Sequence, residues 1–186
     1  MSKIKLFIAC SIDGYIARKN GALDWLPGSD PNNQQELEDL GDGGYTKFIN
    51  YVDVILMGNS TYQEVLGFGV DWPYNGLKCY VLTNNPNLEI KTADTQLLTE
   101  LDLKSIERLR DESKKGVWVV GGGKVISQFL NFDAVDEMTV NVVSIILGDG
   151  IKLFPNQPKE TQFELIETEQ FGKKLVNLKY RAFRKT

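Results

Sequence analysis

The sequence predicts an α/β fold in a single domain, 1–186, with a mixed, mostly parallel central sheet flanked by helices and an antiparallel hairpin at the C-terminal end. Two patterns carry this. Up to Leu130, four apolar strand-like runs alternate with helical stretches, and helical crossovers return each strand in the same direction. Beyond Leu130, three long strand patterns follow with no helix between them: Val135–Leu147, Gln162–Phe171 and Lys174–Phe183. Gly172 makes the turn between the last two, a hairpin signature.

In chain order, Lys3–Ile12 reads as the first strand, with Ile4, Leu6, Ile8 and Cys10 on one face. "NGALDWLPGSDPN" at 20–32 is rich in Gly, Pro, Asn and Asp and forms a loop. Helical patterns follow over Asn33–Leu40 and Tyr45–Asn50. Val52–Met57 is a continuous apolar run, as expected of a strand buried on both faces. Ser60 or Thr61 is placed to cap a short helix ending near Leu66. Leu77–Leu82 is another buried strand, closed by "TNNPN". Leu103–Ser113 is a helix, Val117–Val120 the next strand, and Gly123–Leu130 the next helix.

Composition narrows the chemistry. The 186 residues, 42% apolar and 25% charged, match a soluble globular chain of one-domain size. Met1-Ser2-Lys3 leads straight into a strand pattern, and no uncharged apolar run approaches the roughly 20 residues of a membrane span, which points to the cytoplasm. A net charge of −4 offers no general attraction for nucleic acid or anionic lipid. Cys10 and Cys79 each sit in an apolar run and read as buried thiols rather than a disulfide. Histidine is absent, which removes Ser-His and Cys-His nucleophiles, imidazole bases and histidine metal sites. Chemistry must therefore run on carboxylates, backbone groups or a bound cofactor.

Gly121-Gly122-Gly123 follows a parallel strand and opens a helix. Unpaired helix N–H groups there favour an anion, and the absent side chains let a phosphate approach the backbone. A tight strand-to-helix turn is the competing reading, since G-G-G is not the full dinucleotide fingerprint. "VDVILMGNSTYQEVL" repeats the logic, with Gly58 ending a strand before a helix opens at Thr61. Thr83 and Asn84, in "VLTNNP", offer polar groups at a third strand end. Together the three favour a long, doubly charged ligand such as a dinucleotide at the carboxyl edge of the sheet.

These residues resemble the dihydrofolate reductase superfamily, in the branch shared with the C-terminal reductase domain of the bifunctional riboflavin-biosynthesis deaminase-reductase. The matching stretches are "FIACSIDGYIA", "LDWLP", "VILMGNSTYQEV", "CYVLTNNP", "VWVVGGGKVISQFL", "VDEMTVNVV" and "YRAFRK", in order along nearly the whole chain. The resemblance implies bound NADPH and hydride transfer from its nicotinamide to a heterocycle. It implies that Ala9 and Ile16 hold the carboxamide through their backbones, with the bend Asp13-Gly14 between them. Gly58, Asn59, Ser60 and Thr61 would take the cofactor phosphates at one helix end, and Gly121, Gly122, Gly123 and Lys124 at the other. A cis peptide is expected between Gly121 and Gly122. Leu82, Thr83 and Asn84 would flank the adenosine. Asn59 stands where dihydrofolate reductases commonly carry an arginine for the 2′-phosphate, while Lys124 keeps a positive charge at another position used for that contact.

For the proton, the family's acid follows the loop tryptophan by five residues, and Trp25 to Asp30 has that spacing. Asp30 is the first catalytic candidate and Asp24 the second; either could equally be a solvated loop carboxylate or a helix cap. Trp25 would cover the nicotinamide as a lid residue, or simply anchor the loop. "GVDWPYNGLKCY" lacks the arginine expected for a folate tail, and "GFGVDWPYNG" lacks the acidic motif that would grip a ribose phosphate. The expected activity is thus an NADPH-dependent reductase of a pterin-like or aminopyrimidine-like compound, as a possible homodimer. The alternative is a non-catalytic nucleotide-binding module of the same fold.

Overall fold

The computed structural model describes residues 1–29, 32, 38 and 40–183. The predicted helix over Asn33–Leu40 falls largely outside them, as does Asp30. Eight strands form one sheet in the order β5-β4-β3-β6-β1-β7-β10-β9. They are β1 (Ile4–Ser11), β3 (Val54–Gly58), β4 (Lys78–Leu82), β5 (Thr95–Leu98), β6 (Val117–Gly121), β7 (Glu137–Val143), β9 (Phe163–Phe171) and β10 (Leu175–Ala182). A small antiparallel pair, β2 (Tyr15–Ala17) with β8 (Ile151–Lys152), stands beside it. The helices bounded wholly by described residues are α1 (Tyr45–Ile49), α2 (Asn59–Leu66), α3 (Leu103–Glu112) and α4 (Gly123–Asn131).

From β5 to β7 every neighbouring pair is parallel, while β10 runs antiparallel to both β7 and β9. The mixed, mostly parallel sheet with its closing hairpin is the predicted architecture. Gly172, at φ +54°, makes the hairpin turn in the left-handed conformation that glycine tolerates.

The continuous apolar runs are buried on both faces, as their composition requires. Val54, Leu56, Val117 and Val119 pack on one face with Ile126 and Phe129 of α4, whereas Ile55, Met57 and Trp118 pack on the other. Phe48 of α1 lies edge-on to Trp118 at 5.3 Å and stacks on Phe7 at 4.7 Å, which fixes α1 against the second face. Both cysteines are free and buried, and burial raises each thiol to about 11.

The structure departs from the sequence reading at three points. First, β7 is shorter than Val135–Leu147. At its start Asp136 accepts from the Ile4 N–H at 2.8 Å and from Arg110 Nη1 at 2.5 Å. At its end Asp13 accepts from the N–H groups of Leu147 and Gly148, which turns the chain away. The Arg110–Asp136 pair is largely buried, and removing one partner of such a pair costs about 3–5 kcal/mol. Second, neither Ser60 nor Thr61 caps the helix after β3. The helix begins at Asn59 on Gly58, because the strand runs straight into it. Third, β2, β5 and β8 carry no pattern long enough to stand out in the sequence. They are two to four residues long and owe their conformation to neighbours.

Candidate functional site

The sheet order reverses at β6/β1. From β3 the chain adds β4 and β5 outward on one side, then returns to insert β6 and places β7 on the far side of β1. Ligands of open α/β sheets bind at such a switch point, beyond the carboxyl ends of the strands. The β1–β6 ladder ends at Leu6↔Val119, while β1 stays paired with β7 as far as Ser11↔Val143. The sheet therefore splits along the second half of β1. Beside the split, the register of β6 against β3 shifts between Leu56 and Met57, next to a cis peptide joining Gly121 and Gly122. That peptide matches the expectation from the family.

Two helices open at this edge, α2 on Gly58 and α4 on Gly122. Among the described residues neither has a side chain capping its N-terminus. The contrast is α3 at the outer edge, where Asp102 and Ser105 form a reciprocal capping box. The free N–H groups of α2 and α4 are thus left for another partner, and the helix dipoles favour an anion. The two ends adjoin: a Cβ on Gly122 would meet Thr61 Oγ1 at 3.5 Å, and one on Gly58 would meet Val125 Cγ2 at 3.1 Å.

The glycines divide in role. Gly121 has φ +132°, which side chains rarely allow, and Ile8 Cδ1 lies 3.7 Å from its Cβ position. Gly122 is half-buried at the helix end, where a Cβ would make only an ordinary contact, with Thr61 Oγ1. Gly123 is a packing glycine, because a Cβ there would fall 2.4 Å from the Lys152 carbonyl oxygen and 2.7 Å from Pro155 Cδ. Lys124 is exposed beside Gly123 on the first turn of α4. On α2, Asn59 Oδ1 accepts from Gln63 Nε2 at 3.3 Å, Ser60 is exposed and Thr61 is half-buried.

At the end of β4, Thr83 is buried and its hydroxyl accepts from the Asn85 N–H at 3.1 Å. Leu82 is half-buried and Asn84 exposed. Ala9 and Ile16 are half-buried on either side of the bend at Gly14, whose φ is +81°. The expected bend at Asp13-Gly14 is present, closed by the Gly14 N–H on the Ser11 oxygen, but the bonds that hold Asp13 were not legible in the sequence. Ser11 Oγ donates to its carboxylate at 2.6 Å, with the Leu147 and Gly148 N–H groups completing the set. The Ser11 bond first, then the backbone donors, hold Asp13 below the usual carboxylate range.

Trp25 is buried in a loop closed by the turn bonds Leu26 N–H to Leu23 oxygen and Ser29 N–H to Leu26 oxygen. Among the described residues its Nε1 has no hydrogen-bond partner. Asp24 beside it is exposed and accepts from Arg18 Nε at 2.7 Å, a bond that lowers its pKa. Asp24 is thus already engaged as a carboxylate.

An open groove lies toward the amino half of β1, lined in part by Lys5, Phe7, Phe48, Thr139, Glu167 and Asn177. Several of its charges are paired: Lys5 with Glu137 at 3.6 Å, and Lys179 with Glu167 at 3.6 Å. It lies away from the glycine helix ends and is not where the phosphate-competent groups converge.

With this geometry in place, the comparisons are decisive about kinship. Residues 76–177 match the model of the RibD C-terminal domain. The chain belongs to that family. It is 35% identical over 178 residues to the uncharacterized protein YwjB of Bacillus subtilis, covering 96% of this chain and 97% of YwjB. Among solved structures, a proposed riboflavin biosynthesis protein from Shewanella sp. PV-4 superposes with a TM-score of 0.81 at 32% identity, over 99% of this chain and 100% of that one. A deaminase/5-amino-6-(5-phosphoribosylamino)uracil reductase from Thermotoga maritima gives 0.66 at 19% identity, over 98% of this chain and 57% of its own. Dihydrofolate reductase from Enterococcus faecalis, complexed with NADP(H), gives 0.62 at 15% identity over 97% and 96% of the two chains. The last two likenesses speak to fold: the protein has the dihydrofolate reductase-like fold of the riboflavin reductase branch. Among the described residues, no helix is long and apolar enough to cross a membrane.

Proposed function

We propose that this protein is an NADPH-dependent reductase that transfers a hydride to a pterin-like or aminopyrimidine-like heterocycle. The observation that carries the proposal is the pair of uncapped helix ends, α2 on Gly58 and α4 on Gly122, adjoining at the switch point of the sheet. One free helix end is common; two adjoining ones suit a pyrophosphate. The residues present fit the cofactor. Gly122 leaves the backbone approachable, Asn59, Ser60 and Thr61 line the α2 end, and Lys124 supplies a cation for a 2′-phosphate. Leu82, Thr83 and Asn84 border the adenosine side. Thr83 contributes shape there, since its hydroxyl already closes the turn at Asn85. Ala9 and Ile16 flank the split beside β1 and would orient the nicotinamide through fixed backbone groups. When bound, NADPH supplies the hydride.

The chain's own task is to position the heterocycle and manage a proton. With no histidine, a carboxylate or water does this. Asp30 is proposed for that role on its spacing from Trp25, and Trp25 as the loop residue that covers the reacting ring. The test is steady-state consumption of NADPH with a panel of pterins and aminopyrimidines, beside a binding titration. Tight NADPH binding with no consumption by any of them would instead favour the nucleotide-binding module.

A further inference from the structure

Asn141 and Asn177 sit directly opposite each other on β7 and β10, and Asn141 also pairs with Ala9 on β1. Cross-strand partners share a face, so one row crosses three strands from Ala9 through Asn141 to Asn177. Both asparagines are 6% exposed, and among the described residues neither side-chain oxygen has a hydrogen-bond partner. Buried polar atoms are nearly always bonded, so two neighbouring exceptions call for a cause.

Asn177 is held in place. Its Nδ2 donates to the Gly43 carbonyl oxygen at 2.8 Å, and a Cβ on Gly44 would lie 3.1 Å from that nitrogen. The turn at Gly43-Gly44, with φ +58° and +86°, thus rests on the amide and fixes which way its oxygen points. Asn177 also lines the groove described above, so its end of the row borders open space. Opposed cross-strand residues have Cβ atoms about 4.5–5.5 Å apart. Two unbonded acceptors on such neighbouring side chains match one exocyclic amino group, whose two hydrogens can reach both. Ala9, half-buried and with no side chain beyond Cβ, is the smallest member of the row.

We propose that Asn141 and Asn177 are substrate-positioning residues whose side-chain oxygens accept the amino group of a flat amino-heterocycle laid beside Ala9. This rests on the reductase reading for the identity of the ligand, but its test does not. The full chain is titrated calorimetrically with 2,4-diaminopyrimidine and with pyrimidine, which lacks amino groups, with and without NADPH. The parent should bind the diamine at least tenfold more tightly than pyrimidine. Asn141→Leu, close in shape but without the oxygen, should lose that preference. Asn141→Asp, which keeps an acceptor, should restore it through charge-assisted bonds. Because it removes an unbonded buried oxygen, Asn141→Leu should melt no lower than the parent by circular dichroism. If the parent fails to discriminate, or Asn141→Leu binds the diamine as the parent does, the proposal is overturned. Should Asn141→Leu not fold, the parent's preference and its retention in Asn141→Asp decide. Amine binding that depends on Asn141 in a protein that never consumes NADPH would leave these roles standing and remove the reductase reading. NADPH consumption untouched by Asn141→Leu would do the reverse.

Discussion

Gly122 and Thr61 face each other across two helix ends, with 3.5 Å between the position of a Gly122 Cβ and Thr61 Oγ1. That is ordinary van der Waals distance, so the fold itself does not forbid a side chain at Gly122. Its absence leaves an approach open.

Neighbouring glycines should therefore separate. Gly122→Val should fold and lose NADPH binding by well over tenfold, because its branches occupy the space the phosphate needs. Gly123→Ala should instead destabilise the protein by about 1–3 kcal/mol or more, as overpacked sites do, since its Cβ would overlap the Lys152 carbonyl. Urea midpoints and NADPH titrations of both variants check this. A Gly122→Val protein that folds and binds NADPH normally removes the phosphate assignment.

Lys124 is exposed at the start of α4. A charge-assisted contact to the 2′-phosphate predicts that Lys124→Ala weakens NADPH about tenfold while leaving NADH nearly unchanged. The difference should shrink as salt is added. Equal losses for the two cofactors would assign Lys124 no part in the choice between them.

The two loop aspartates should behave differently. The Arg18 bond lowers the pKa of Asp24, so that carboxyl stays ionised as pH falls below the usual carboxylate value and is no proton donor near neutrality. Asp24→Asn should accordingly leave turnover and its pH profile almost unaltered. Asp30→Asn should bind NADPH as the parent does, yet slow turnover roughly 30- to 1,000-fold, the loss of about 2–4 kcal/mol of transition-state stabilisation. An inactive Asp24→Asn beside a normal Asp30→Asn would move the acid next to the tryptophan.

Self-association is the remaining prediction. β9 is the outer strand of the sheet, and Leu165 and Ile166, at the register shift opposite Lys179 and Tyr180, are 53% and 39% exposed. An edge strand that exposes neighbouring apolar side chains invites pairing. Sedimentation should show a dimer at micromolar concentration; a monomer there would mean that the hairpin is solvated in the free protein.

The parallel core was legible because burial on both faces writes itself as runs such as Val52–Met57. The strand-to-helix glycines were legible too, since only backbone geometry explains them. What sequence could not separate was Gly123 from its two neighbours. Its reason lies in the carbonyl of Lys152, brought there by the β2–β8 pair, which has no pattern of its own. The bonds of Asp13 to Leu147 and Gly148 and the Asn141–Asn177 row were hidden for the same cause: each joins residues that only the sheet register brings together.

Hydride transfer from NADPH to a heterocycle is the proposed activity of this protein. The most direct measurement supplies NADPH deuterated at the transferring position of its nicotinamide with a panel of pterins and aminopyrimidines, and weighs the products. The account predicts a reduced heterocycle carrying one deuterium, formed in step with NADPH loss. Bound NADPH that is never consumed, with no deuterium in any heterocycle, would contradict it.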